Sequence, residues 1–176
     1  MSTRAVLSIG GNQGDPLALL RGVAEAAASE GLLRAASSVY ATPPWGGVEQ
    51  DDFLNAVLVV VHPGTPRDVL EWGFARERDA GRTRDVRWGP RTLDVDVIAA
   101  EVDGAAVTDR DETLTLPHPR AAERAFVLVP WAEVEPDTHL HGRPLQAHLA
   151  ELDAGEVAAV RRLEHALAPE PGEGRG

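Results

Sequence analysis

Apolar residues fall in discrete blocks along the chain, and their period changes from block to block. Ala5–Ile9 is a short apolar run that ends in Gly10–Gly11–Asn12–Gln13–Gly14–Asp15–Pro16, where Asp15 suits a helix N-cap and Pro16 a first helical residue. Leu17, Leu20, Val23, Ala24 and Ala27 then recur at helical spacing, which predicts a helix to about Glu30 with one stripe to bury. Leu33–Thr42 reads as a strand. Thr42–Val48 reads as a loop whose prolines and glycines interrupt regular structure, and Phe53–Val61 as the clearest strand. Thr65–Pro66 opens a second helix, with Val69, Leu70 and Phe74 at helical spacing to about Ala80. An Arg-rich loop and a strand over Asp94–Ala99 follow. Beyond Ala100, Asp103–Gly104 predicts a hairpin, Thr113–Leu116 a short edge segment and Pro144–Leu152 a short helix. Ala168–Gly176, rich in Pro, Gly and Glu, is expected to be disordered.

The order strand, helix, strand, strand, helix, strand is the split βαβ arrangement of ferredoxin-like folds. The expected class is therefore α+β: a ferredoxin-like βαββαβ core with an additional C-terminal hairpin and helices, stacked as a three-layer α/β/α sandwich. With 176 residues the chain supports one well-buried core, so a single domain over residues 1–167 is expected.

Charge narrows the function. The net charge of −11 argues against a general binder of nucleic acid or anionic membrane, which needs a basic face to exchange for counterions. The basic groups are instead concentrated: positions 76, 78, 82, 84, 87 and 91 are all Arg. All 17 cationic residues are Arg, so the phosphate-binding lysine of a P-loop or a protein kinase is missing. With no cysteine there is no disulfide, thiolate metal site or Cys nucleophile. The first residues lack the basic and apolar regions of a signal peptide, and Ala56–Val61 is too short to span a bilayer. The expectation is a soluble cytoplasmic protein.

The chemistry concentrates in Arg82–Val97, where arginines lead directly into Asp94–Val95–Asp96–Val97. On a strand Asp94 and Asp96 leave one face and the valines the other. Their Cα atoms then lie roughly 6.6 Å apart. Two side chains at that spacing can grip ions about 3.5–4 Å apart, as two-metal phosphoryl chemistry requires. An isolated Asp-x-Asp is equally the solvated face of an amphipathic strand. The Gly89–Pro90 turn that pins the strand entry, and Arg91 placed to face metal-held phosphate oxygens, move the reading to function.

Elsewhere the signals are weaker. Gly10–Asp15 lacks the Gly-x-Gly-x-x-Gly spacing and carries an acid at the cap, so it reads as a tight turn and not as a phosphate cradle. Thr42–Pro43–Pro44–Trp45 and Phe53–Leu54–Asn55 bracket a stiff loop and offer flat apolar surface with one side-chain amide, a set suited to a flat heterocycle. The same residues also serve as ordinary core and turn, and Trp88 is open in the same way. His118, between Pro117 and Pro119, sits in a rigid loop and by itself is as consistent with a structural role.

Taken together, Thr42–Pro43–Pro44, Phe53–Leu54–Asn55, Gly81–Arg82–Thr83–Arg84, the block from Arg87 to Asp96 and Leu116–Pro117–His118 resemble the 6-hydroxymethyl-7,8-dihydropterin pyrophosphokinases of folate biosynthesis. The likeness runs over about residues 5–150, and the Arg-Trp-Gly-Pro-Arg-Thr-Leu-Asp-Val-Asp block is its most specific part. It implies pyrophosphoryl transfer from ATP, as co-substrate, to the pterin hydroxymethyl oxygen, with two Mg²⁺ ions. It implies a monomer acting on small molecules, with neither nucleic acid nor membrane as partner. By the same resemblance Asp94 and Asp96 hold the metals, and Arg82 and Arg91 steady charge at the attacked phosphorus. Thr42, Pro43, Pro44, Trp45, Phe53, Asn55, Trp88 and Phe126 would hold the pterin, with Trp88 closing over it. Leu70, Glu77, Arg84, Ile98, Thr115, His118 and Arg124 map to nucleotide-contacting positions. Arg82–Gly89 corresponds to a mobile loop that orders on substrate binding.

Departures from the family pattern are a loop between Arg84 and Trp88 that is one residue short, Thr113 in place of an arginine, and Phe74, Pro119 and Phe53 in place of other polar or aromatic residues. Two alternatives remain at this point. An ordinary Mg²⁺ kinase acting on another heterocyclic alcohol would release ADP. A ferredoxin-like RNA-binding module would stack bases on Trp45, Phe53 and Trp88, but leaves the paired acids unexplained.

Overall fold

Asp15 accepts a hydrogen bond from the Ala18 N–H at 3.1 Å and Thr65 closes a reciprocal capping box with Asp68, so both long helices start where the sequence places them. The computed structural model describes residues 1–44, 50–81 and 92–167. Its first part runs β1 (Thr3–Gly11), α1 (Pro16–Ser29), β2 (Leu33–Ala36), β3 (Tyr40–Thr42), β4 (Phe53–His62), α2 (Pro66–Asp79) and β5 (Asp94–Val102). The short strands β6 (Ala105–Ala106), β7 (Asp109–Arg110) and β8 (Thr115–Leu116) come next, and then a 3-10 turn at Ala121–Glu123. The chain continues through α3 (Ala125–Val134), β9 (His139–Leu140), β10 (Arg143–Pro144), α4 (Leu145–Glu151), α5 (Ala154–Ala159) and β11 (Arg161–Arg162).

The main sheet has the order β11-β3-β4-β1-β5-β6, with β2 also paired to β4, and each pairing is antiparallel. Helices cover both faces. Leu7, Ile9, Leu58, Val60, Val95 and Val97 pack with Leu20, Val23 and Val69 of α1 and α2. Val6, Val57, Val59 and Ile98 pack on the opposite face with Val127, Leu128 and Trp131 of α3. Since alternate strand residues face opposite sides, the fully buried central strands read as continuous apolar runs.

Leu33–Thr42 is not one strand, as its sequence suggested, but two. At the break, the Ser37 hydroxyl accepts from the Val57 N–H at 2.8 Å and donates to the Ser38 carbonyl at 2.8 Å, so a side chain takes over part of the ladder. Helix α3 carries no sequence signal of the amphipathic kind. Its positions are apolar nearly all round, and Pro130, inside it, has no N–H for the Phe126 carbonyl. Trp131, 1% exposed, fixes it to the sheet.

A bulge interrupts β5. Val6 stands opposite Ala99 and Leu7 opposite Val97, which leaves Ile98 as an extra residue. Val95 and Val97 therefore face α1 and α2, Ile98 faces α3, and Ala100 returns to the α1 and α2 side. The hairpin turn beyond it uses Asp103 and Gly104, both at positive φ, as the sequence suggested.

Candidate active site

Asp94 and Asp96 open β5 with half-buried side chains on the same sheet face as Ile98, the face that α3 covers further along. Their strand is set from behind. Gly73 lets α2 come so close that a Cβ there would lie 3.0 Å from Val95 Cγ1. One turn on, the buried Glu77 side chain accepts the Val95 N–H at 2.9 Å. The peptide between the two acids is thus held by a side chain from below, while the acids themselves face the other way.

Across the sheet, Asp94 stands opposite Gly10 on β1, and Gly10 opposite Asn55 on β4. Asn55 is buried and donates through Nδ2 to Thr42 Oγ1 at 2.9 Å, while Phe53 stands opposite Thr42. A side chain at Gly10 would put its Cβ 2.5 Å from Asn55 Oδ1. The missing side chain therefore leaves room between the acids and the amide, which sit two strand spacings apart, about 10 Å between backbones. Ser8, opposite Asp96, keeps the next row small as well.

On the far side of β5, the His118 N–H donates to the Ile98 carbonyl at 2.8 Å, which docks the Pro117–Arg120 turn beside the acids. His118 accepts the Arg120 N–H at Nδ1, 3.2 Å, which leaves the ring proton to Nε2. Burial, followed by the positive charges of Arg124 and Arg120, holds the His118 pKa below its ordinary value, so the ring is neutral near pH 7. Arg124 caps α3, and its guanidinium lies 5.7 Å from the Phe126 ring centroid. Carboxylates, a buried amide and a pair of arginines thus border one side of the sheet. Such a set can hold a divalent cation and polyphosphate at one end and a flat hydrogen-bonding ring at the other.

The profile of the 7,8-dihydro-6-hydroxymethylpterin-pyrophosphokinase (HPPK) family matches residues 6–136. The chain belongs to this family. Among curated HPPK relatives, the 2-amino-4-hydroxy-6-hydroxymethyldihydropteridine pyrophosphokinase of Mycobacterium tuberculosis is 49% identical over 169 residues, covering 90% of this chain and 89% of that one. The Methylorubrum extorquens enzyme of the same name is 46% identical over 160 residues, covering 90% and 99%. Among solved structures, the Plasmodium falciparum HPPK-DHPS wild type with pteroate aligns with a TM-score of 0.59 at 12% identity, over 86% of this chain. The chain spans 42% of that longer polypeptide, and at this identity the likeness concerns the fold.

Of the residues that the HPPK resemblance nominates, Asp94, Asp96, Thr42, Asn55 and Phe53 share one side of the sheet. His118, Arg124 and Phe126 lie beside it on the turn and helix that follow. Pro43 and Pro44 continue from β3, exposed and half-buried. Leu70 and Ile98 are core residues, Glu77 is turned to the strand backbone, and Thr115 bonds the Asp111 carbonyl at 3.2 Å in the β7–β8 hairpin. Trp45, Arg82, Arg84, Trp88 and Arg91, with the expected mobile loop and the 168–176 tail, lie outside the described residues. Sequence reasoning missed Gly10, whose role is the space it leaves, and Asn12, which donates to Gln50 Oε1 at 2.7 Å and to the Asp51 carbonyl at 3.1 Å. Its position in the glycine-rich turn was the available signal. Among the described residues no helix is long and apolar enough to cross a membrane.

Proposed function

We propose that this chain transfers pyrophosphate from ATP to 6-hydroxymethyl-7,8-dihydropterin, giving the pterin diphosphate and AMP on the way to tetrahydrofolate. One observation carries the reading: in a member of the HPPK family, the acids Asp94 and Asp96 and the Thr42–Asn55 pair share one sheet face across the bare backbone of Gly10. The hydroxymethyl oxygen bonds to the β-phosphorus and gives up its proton to solvent, the bond from that phosphorus to the α–β bridging oxygen breaks, and AMP leaves with the electron pair.

The residues fit a hard divalent cation. Both acids are half-buried oxygen donors on one face, and no group of three metal-ligating side chains forms among the described residues. Asp94 and Asp96 would hold two Mg²⁺ ions, which when bound would supply positive charge against the polyphosphate. Asn55 is the group that orients the pterin edge, its amide preset by Thr42, while Phe53, Phe126 and Trp45 supply flat contact and Pro43 and Pro44 stiffen that side. His118, Arg124 and Thr115 bind the nucleotide from beyond β5, and the family resemblance assigns Arg84 to the nucleotide and Trp88 to the pterin. Leu70 and Glu77 lie under the site on the α2 side of the sheet, and Ile98 lies beyond the acids on their own face. Arg82 and Arg91 steady the charge that develops at the phosphorus. Positioning and electrostatics are all that such a transfer asks of the protein.

The same reading takes the fold as a ferredoxin-like three-layer sandwich over residues 1–167, supported by the order of the long strands and by helices on both faces. The test is to mix the protein with Mg²⁺, ATP and 6-hydroxymethyl-7,8-dihydropterin and to identify the nucleotide released by ³¹P NMR. AMP with a pterin diphosphate is expected. ADP would overturn the reading in favour of an ordinary kinase.

A further inference from the structure

The segment Arg161–Leu167 lies beyond the family match and has no part in the site described above. It is nonetheless fastened at several points. Arg161 and Arg162 pair with Ala41 and Tyr40, and the Leu163 N–H donates to the Val39 carbonyl at 2.8 Å. Arg21 Nε donates to the Ala166 carbonyl at 3.0 Å, and Leu167, 2% exposed, is anchored in the core under α1. Arg161 then reaches across β3, and its Nη2 meets Asp52 Oδ2 at 3.0 Å. Asp52 directly precedes Phe53, which stands opposite Thr42.

Strand β3 is only three residues long, and without β11 it would be the edge of the sheet. A short edge strand frays easily, and its register is poorly specified. Thr42 is the last residue of that strand and accepts the Asn55 amide proton, so a shift of β3 misdirects the amide. We infer that Arg161–Leu167 is a positioning strap for the pterin end of the site, and that the Arg161–Asp52 pair locks the ends of β3 and β4 against each other. The inference rests on the reading that Thr42 and Asn55 face the pterin.

Exposed ion pairs add little to global stability, so breaking this one leaves the fold intact and acts on local register. The experiment compares full-length Arg161→Gln, the swap Arg161→Glu with Asp52→Arg, and Asn55→Ala. For each, the KM for 6-hydroxymethyl-7,8-dihydropterin, the KM for ATP, kcat and amide exchange at Tyr40–Thr42 are measured. Arg161→Gln is expected to raise the pterin KM about fivefold, as loss of one well-placed pair allows, with ATP KM and kcat unchanged and faster exchange at Tyr40–Thr42. The swap is expected to restore both. An unchanged pterin KM in Arg161→Gln, beside a raised one in Asn55→Ala, overturns the strap and leaves the pterin reading standing. An unchanged pterin KM in Asn55→Ala overturns the reading and the strap with it. A rise in both KM values that the swap does not repair marks a purely structural segment and also overturns the inference.

Discussion

Asn55 and Thr42, on neighbouring strands, are joined by a 2.9 Å hydrogen bond in which the buried amide donates to the buried hydroxyl. A bond of this kind costs little to keep and much to break, because the orphaned amide stays out of water. Thr42→Val keeps the shape and removes the acceptor. It is expected to cost about 1–3 kcal/mol in urea unfolding and to raise the pterin KM, while Thr42→Ser keeps most of both.

Gly10→Ala tests the space between the acids and the amide. The added methyl would sit 2.5 Å from Asn55 Oδ1, so Asn55 must turn away or the strands must part. Overpacking of this kind costs about 1–3 kcal/mol, and the expected signature is weakened pterin binding in isothermal titration. Normal pterin affinity in this variant would remove the idea that β1 contributes by leaving room.

Asp96→Asn changes one charge and almost no volume. Turnover at saturating substrates is expected to fall by at least about a hundredfold, with thermal unfolding little changed. Asp94→Asn is expected to raise the Mg²⁺ concentration for half-maximal turnover. Retained activity in both would dispose of the metal-holding role.

Glu77 accepts the Val95 N–H at 2.9 Å from a buried position, which makes it a support of the strand that carries the acids. Glu77→Ala leaves that N–H unmet and is expected to destabilise by about 1–3 kcal/mol in denaturant unfolding. Glu77→Gln retains an acceptor oxygen and is expected to keep most of the stability.

The depressed His118 pKa has a definite sign. The unfolded histidine takes up its proton near 6.5 while the folded one resists, so the unfolded state binds more protons below that pH. The contribution of His118 to stability is complete above about 6.5 and falls as pH drops from there toward its folded pKa. Urea midpoints across that window, compared between the protein and His118→Gln, are expected to show a smaller acid loss in the variant.

Legibility in the sequence followed physical strength of signal. β1, α1, β4 and α2 stood out because continuous apolar runs, helical stripes and two capped helix starts agree with one another. The shared face of Asp94 and Asp96 followed from strand parity alone, and the chemistry followed from the arginine-rich block before them. Helix α3 was missed because Pro130 and a uniformly apolar sequence deny it a period. β11 was missed because two charged residues make no alternation, and their pairing with β3 is purely tertiary. Gly10 was read only as part of a turn, since nothing local tells a glycine that turns the chain from one that clears space.

The extra residue at Ile98 divides β5 into two segments that answer to different neighbours. The exposed Asp103–Ala106 hairpin stands beyond that bulge, at the opposite end of the strand from the acids. That turn, exposed and far along the strand from the acids, is therefore the point on β5 at which to attach a fluorophore, an affinity tag or a tether to a surface.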